Sequence, residues 1–390
     1  MRTVYLDHAA TTPIHPEVVE AMLPYLRDGY GNPSSLHHWG QQAKEAIDRA
    51  RESLAALLGA RPEEIVFTGC GSESDNLAIF GTAYQKQDKG RHIITSAIEH
   101  HAVLHACEAL EKRGWRVTYL PVNQYGVVDP ASVGEAISDD TILATIMHAN
   151  NEVGTIEPIA EIGAICKERG VTFHVDAVQT VGHIPTDVNE LNADLLALSA
   201  HKFHGPKGVG ALYIRKGTRL VPQIYGGGHE RGLRSGTENV AGIVGAGRAA
   251  ALMHTEMPTE MPRLTELREY TYAGLQERIP EIIRTGHPTH CLPNSISLCI
   301  RYIEGESMLL NLDMQGIGAS SGSACTSGTL DPSHVLLAMG LPHEIAHGSL
   351  RMSTGRDTSK EDMDYVLEVL PPIVEKLRMM SPLYAAREAS

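Results

Sequence analysis

The sequence predicts an α/β protein with a mostly parallel central sheet, helices on both of its faces, and a smaller α+β unit after it. Two observations carry this expectation. Up to about residue 260, short β-branched and aliphatic runs alternate with helix-patterned stretches, the signature of strand–helix–strand crossovers. Beyond that point the alternation gives way to a long charged helix, a strand, a helix, a glycine- and serine-rich stretch, a strand and a last helix.

The strand candidates, in order, are "EIVFT" (64–68), "HIITS" (92–96), "VTYL" (117–120), "ILATIMH" (142–148), "VTFHVD" (171–176), "LLALSA" (195–200) and "GALYI" (210–214). Each is a short run of strand-favouring residues bounded by turn formers or by a helical pattern. Between them, helical spacing runs from Glu73 to Gln85, His101 to Arg113 and Ile159 to Arg169. The smaller unit reads as a helix over 261–279, the strand "SISLCI", a helix from Glu304 to Met314, the strand "SLRMST", and a helix from Ser359 to Met379.

Composition narrows the function classes. With 33 Lys+Arg against 47 Asp+Glu, the chain carries a formal charge of −14, which argues against nucleic acid or an anionic membrane as principal partner. No apolar run approaches the ~18–20 residues that span a bilayer. The opening "MRTVYLD" lacks an apolar signal region, so a cytoplasmic protein is expected. The six cysteines form no CxxC pair and do not read as a disulfide framework. Cys166 and Cys299 lie in apolar patterns and are expected in the core. Cys325 differs, because "SSGSACTSG" (320–328) cannot pack a core and leaves its thiol open to chemistry. No metal site is expected: His101 and His105 stand four apart on a helical pattern, but no HExxH motif or cysteine pair accompanies them.

Ligands of open parallel sheets bind beyond the carboxyl ends of the strands. After "EIVFT" comes "GCGSESDN", a glycine turn entering a helix, with Ser72 as a candidate N-cap and Asp75 three residues on. Such a helix start suits a phosphate, although a purely structural turn is the alternative. Asn151 follows "ILATIMH", Asp176 ends "VTFHVD" with Gln179 just beyond, and Lys202 follows "LLALSA" with Ser199 and His201 beside it. A lysine for a Schiff base, a carboxylate for a pyridine nitrogen and a helix start for a phosphate match the needs of pyridoxal phosphate. An ordinary surface ion pair is the alternative.

Longer stretches then carry a resemblance. These include "YLDHAATTP" (5–13), "SESDNLAI" (72–79), "EHHAVL" (99–104), "HANNEVGT" (148–155), "HVDAVQTVG" (174–182), "SAHKFHGPKGVGALYI" (199–214), "GGGHERGLRSGTENV" (226–240), "SSGSACTSG" (320–328) and "AHGSLRMSTGR" (346–356). Together they resemble the cysteine desulfurases of the NifS/IscS type, within the class V aminotransferase-like, fold-type I pyridoxal-phosphate enzymes. The resemblance implies a large cofactor-binding domain over 15–260, and a small domain of 1–14 and 261–390 that carries the Cys325 loop. It implies that Lys202 attaches the cofactor, Asp176 pairs with the pyridine nitrogen, Gln179 bonds the ring oxygen and His100 stacks on the ring. Gly71, Ser72, Ser199 and His201 would hold the phosphate, with Thr237 reaching it from the second subunit of a homodimer. Asn151 and Arg351 would position L-cysteine, and Cys325 would take its sulfur as a persulfide. A sulfur-acceptor protein, such as an iron–sulfur scaffold, is the partner implied. A selenocysteine lyase and a non-catalytic sulfur carrier are the alternative readings.

Overall fold

The computed structural model describes residues 2–322 and 332–388. Seven strands form the central sheet: β2 (Ile65–Thr68), β3 (His92–Ser96), β4 (Arg116–Leu120), β5 (Thr141–Met147), β6 (Thr172–Asp176), β7 (Leu195–Ser199) and β8 (Gly210–Ile214). Their spatial order is β2-β8-β7-β6-β5-β3-β4, and only β8 runs antiparallel to its neighbours. All residues of β2, β3, β5, β6, β7 and β8 are buried, as expected of a sheet covered on both faces. The fold class read from the sequence is therefore borne out. After β4 the chain returns to place β5 on the other side of β3, so the strand order reverses there and opens a crevice at the carboxyl ends.

Among the covering helices are α1 (Pro16–Arg27), α2 (His38–Leu58), α3 (Gly71–Lys86), α4 (His101–Glu111), α5 (Pro130–Ala136) and α6 (Ile159–Arg169). A further helix, α7, runs from Val240 to Arg278, far longer than the 261–279 stretch legible in the sequence. Pro258 and Pro262 read as breakers, and Gly242, Gly245 and Gly247 lower local helix propensity. Packing overrides both. At Gly247 a Cβ would fall 2.4 Å from Ala50 Cα, so the glycine is what allows α7 to press against α2.

The first strand, β1 (Val4–Tyr5), pairs in parallel with β11 (Ile317–Gly318), while β9 (Ile282–Arg284), β10 (Ser295–Ile300) and β12 (Ser349–Ser353) form an antiparallel sheet. Around these strands lie α8 (Gly305–Met314), α9 (His334–Ala338), α10 (His343–Ala346), α11 (Lys360–Met379) and α12 (Pro382–Glu388). One buried cluster runs from Val18 to Met253, and a second joins Val4 and Leu6 to Leu264–Leu377. Cys166 and Cys299 are fully buried, as the sequence led one to expect. The N-terminal strand is thus anchored among the later elements, and from there residues 7–10 cross to the carboxyl ends of the central strands.

Candidate active site

A cavity of about 380 Å3 opens at the carboxyl ends of the strands. Gly71, Ser72, His100, Asn151, Asp176, Gln179, Ser199, His201, Lys202 and Arg351 all line it. A larger cavity, about 830 Å3, is lined by Lys86, Thr172 and Arg215, at the amino end of β6 and hence at the wrong edge of the sheet for this chemistry.

The wall at β2 and α3 is built for close approach. Ser72 is not the N-cap of α3: the helix starts at Gly71, its cap position is Cys70, and no side chain caps it. The first-turn amides therefore depend on a partner other than a local side chain. A Cβ at Gly71 would fall 2.7 Å from Val178 Cγ2. Beside this turn Ser199 Oγ is buried and without a hydrogen-bond partner among the described residues.

On the opposite side His100 caps α4, its Nδ1 accepting from the Ala102 N–H at 3.2 Å. This fixes the ring at the mouth of the cavity. Burial, then the charge of Lys202, holds its pKa down at about 4, so it is neutral at physiological pH. Lys202 Nζ donates to the carbonyls of Ala9 and Ala10 at 2.5 and 2.9 Å, and Gln179 Nε2 donates to Ala9 O at 3.0 Å. The N-terminal segment thus completes the cavity with main-chain acceptors.

Asp176 is almost fully buried at the end of β6. Burial pushes its carboxyl up to about 6, against the Val178 N–H bond and the Lys202 charge. Behind it, Asp75 Oδ1 and His174 Nε2 face each other at 3.6 Å, both buried and with no hydrogen-bond partner among the described residues. Burial raises the Asp75 carboxyl, with the charge of Asp176 adding to the effect. It also drives His174 down to about 3. A cation at the cavity floor would favour the ionised form of Asp176. At the other end, Arg351 donates to Asp7 Oδ1 at 2.9 Å and to Asn151 O at 3.0 Å. Its Nε is buried with no partner among the described residues, a donor ready for a carboxylate.

The class V aminotransferase model matches residues 4–366. The chain belongs to the aminotransferase class-V family. A member from Dictyoglomus turgidum named "Cysteine desulfurase IscS" is 56% identical over 381 residues, covering 98% of this chain and 97% of that one. A solved structure described as "NIFS-LIKE PROTEIN" aligns with TM-score 0.91 at 41% identity, over 96% of this chain and all of that one. Another, described as "SspA in complex with cysteine", aligns with TM-score 0.80 at 39% identity, over 90% and 98% of the two chains. The resemblance read from the motifs is borne out by these class V relatives.

Two of the expected site residues are not among those named above. Cys325 lies outside the described residues. Thr237 is exposed and does not line the cavity of its own chain. Its loop is nevertheless firmly placed. Glu230, at φ 45° in the left-handed region, accepts from Arg51 through both carboxylate oxygens at 2.7 and 2.8 Å and from the Phe67 N–H at 2.8 Å. Glu230→Ala leaves the nearly buried Arg51 uncompensated, and a loss of about 3–5 kcal/mol in urea unfolding is expected.

The site also contains residues to which the sequence reading gave no role, chiefly Asp7, Ala9 and Ala10, and Asp75, noted only as three residues beyond Ser72. Ala9 and Ala10 act through carbonyls, for which no side-chain signal exists. Asp75 sits among the polar residues of 72–76, where nothing local marks it as buried. His37 caps α2 by accepting from the Gly40 N–H at 3.2 Å, and neither it nor His38 lines the cavity. Among the described residues, no group of three His, Cys, Asp or Glu is placed to hold a metal ion.

A second buried acid gives a pH signature. Burial pushes Glu157 up to about 8, against its bond from the Val128 N–H. The unfolded chain loses that proton near 4.5, so folding takes up a proton in between and stability falls as pH rises through this window. Between pH 7 and 8 we expect a decline of roughly 1 kcal/mol, followed by urea midpoints, and Glu157→Gln should flatten it.

Proposed function

We propose that this chain is a cysteine desulfurase, converting L-cysteine to L-alanine and passing the sulfur to Cys325 as a persulfide for iron–sulfur cluster assembly. The observation that supports this reading best is the convergence of Lys202, Asp176 and Arg351 on one cavity at the carboxyl ends of the sheet. Pyridoxal 5'-phosphate suits the residues present. The uncapped start of α3, the close approach at Gly71 and the unpartnered Ser199 Oγ make a phosphate cradle, with Ser72 and His201 beside it. Asp176 would face the ring nitrogen, Gln179 the ring oxygen, His100 the ring face and Lys202 the aldehyde carbon. When bound, the cofactor supplies an electron-accepting ring for the pair left at the substrate Cα.

The chain's own residues do the rest. The Arg351 guanidinium grips the substrate carboxylate, and Asn151 lies beside it. Lys202 Nζ takes the proton from Cα and returns one to the product. The Cys325 thiolate bonds to the substrate sulfur as the carbon–sulfur bond breaks, so that enzyme thiol plus L-cysteine become enzyme persulfide plus L-alanine. His100, neutral at physiological pH, can take and return a proton at the cavity mouth.

Arg351→Lys keeps the charge but loses the planar donor pair. A fall of about 10²–10³-fold in kcat/KM, mostly in KM, is expected from steady-state alanine formation. Unchanged KM would count against the assigned role.

A homodimer follows from the same reading. Thr237, exposed on a loop pinned through Glu230 and through Arg234 Nε to Glu73 Oε1 at 2.8 Å, would reach the phosphate of the partner subunit's site. Tyr30, Leu36, Trp39 and Tyr225 are exposed apolar side chains consistent with a second copy packing there. The two buried clusters support a division into 15–260 and the pair 1–14 and 261–390. Among the described residues, no helix is long and apolar enough to cross a membrane. A cytoplasmic location and an iron–sulfur scaffold as acceptor remain part of this proposal.

A further inference from the structure

The residue after Asn151 has no part in the chemistry above, yet its surroundings are specific. Glu152 follows β5 in a tight turn: Asn150 Oδ1 accepts from the N–H groups of Glu152 and Val153 at 2.8 and 3.0 Å, and Asn150 Nδ2 donates to Ile98 O at 2.9 Å. The Glu152 side chain is only 6% exposed. Its Oε2 accepts the hydroxyl of Ser333. Ser333 Oγ in turn caps α9, accepting from the N–H groups of Val335 and Leu336 at 3.1 and 3.3 Å.

Gly322 packs on the other side of the same carboxylate. A Cβ there would fall 2.7 Å from Glu152 Oε2 and 3.0 Å from Ser333 Cβ, so any side chain at this position would push on the pair. Gly322 and Ser333 flank the stretch that contains Cys325, and one buried carboxylate touches both flanks. Cys325 is the third residue after Gly322, and three steps of chain span at most about 11 Å. Arg351 links this junction to the substrate end of the cavity, through its bond to Asn151 O and its charge on Glu152.

We propose that Glu152 is a positioning residue for sulfur transfer: its carboxylate anchors Ser333, with Gly322 packed against the pair at the arginine end of the cavity, and so sets how readily Cys325 meets the substrate sulfur. The proposal rests on the reading of Cys325 as sulfur acceptor. Glu152 is not among the residues lining the cavity, so its removal should slow the transfer step and leave substrate capture alone.

The test uses cofactor-loaded enzyme under anaerobic conditions, comparing wild type with Glu152→Ala, Glu152→Gln, Ser333→Ala and Cys325→Ala. Substrate capture is read from the L-cysteine-dependent shift of the visible band, and transfer from single-turnover alanine formation. Glu152→Ala is expected to slow alanine formation by about 10²-fold, with the half-saturating L-cysteine concentration changed less than about threefold. Glu152→Gln, whose amide oxygen still accepts from Ser333, should restore most of that rate. Ser333→Ala should slow the same step, and combining it with Glu152→Ala should add little. A wild-type rate in both Glu152→Ala and Ser333→Ala, with Cys325→Ala inactive, overturns the role of Glu152 alone. A Glu152→Gln enzyme as slow as Glu152→Ala, or parallel losses of capture and transfer, also overturns it. If Cys325→Ala makes alanine at the wild-type rate, the sulfur-acceptor reading fails and this proposal with it. Should Glu152→Ala not fold, Ser333→Ala and Glu152→Gln decide the matter.

Discussion

Lys202→Ala is expected to lower alanine formation from L-cysteine by at least about 10⁴-fold, because the same amine would attach the cofactor and move the α-proton. The lost contacts to the Ala9 and Ala10 carbonyls should cost only about 1 kcal/mol, so the fold should survive. A small primary amine added to the buffer should restore part of the rate in Lys202→Ala, since it can occupy the vacated space and carry the proton. Lys202→Arg keeps a cation in place but holds its proton too tightly to act as a base, and should be as inactive. Turnover in either variant within tenfold of wild type would remove Lys202 from the reaction.

Cys325→Ala is expected to abolish alanine formation just as fully, with a different signature. The variant should bind cofactor normally and still shift its visible band on L-cysteine addition, because every described residue around the cavity is untouched. Alanine should fall by at least about 10³-fold, the order of loss expected when a nucleophile is removed. Selenide release from L-selenocysteine by the same variant is the useful contrast. If it persists while L-cysteine activity is lost, the thiol is needed for the stronger carbon–sulfur bond. If L-cysteine turnover also persists, the lyase reading replaces the desulfurase one.

The fold was legible where burial is two-sided. Six of the seven central strands are buried along their whole length, and their β-branched and aliphatic runs announce it. The early part of α7 was not legible, since its glycines and prolines signal breaks and only contact with α2 explains why the helix forms. In the site, the strand ends gave Asp176 and Lys202 by topology alone, whereas Gln179 and Arg351 needed the resemblance. The start of α3 lies two positions earlier than the sequence suggests. Ser72 is a good capping residue, but the helix begins at Gly71 and no side chain caps it, which leaves its first-turn amides to another partner. Residues 7–10 were opaque for another reason: their role lies in carbonyls and in a β1–β11 pairing across more than 300 residues, which no local pattern encodes.

Cys325 is the centre of the account, and its chemistry can be read directly. The cofactor-loaded protein would be mixed anaerobically with one equivalent of L-cysteine and no reductant. Alanine would be quantified, and the peptide containing Cys325 weighed after alkylation. The account requires one alanine per active site and one added sulfur atom on that peptide, absent from the peptides carrying the other five cysteines. Alanine formed with an unmodified Cys325 peptide, or cofactor-loaded protein that yields no alanine, would contradict it.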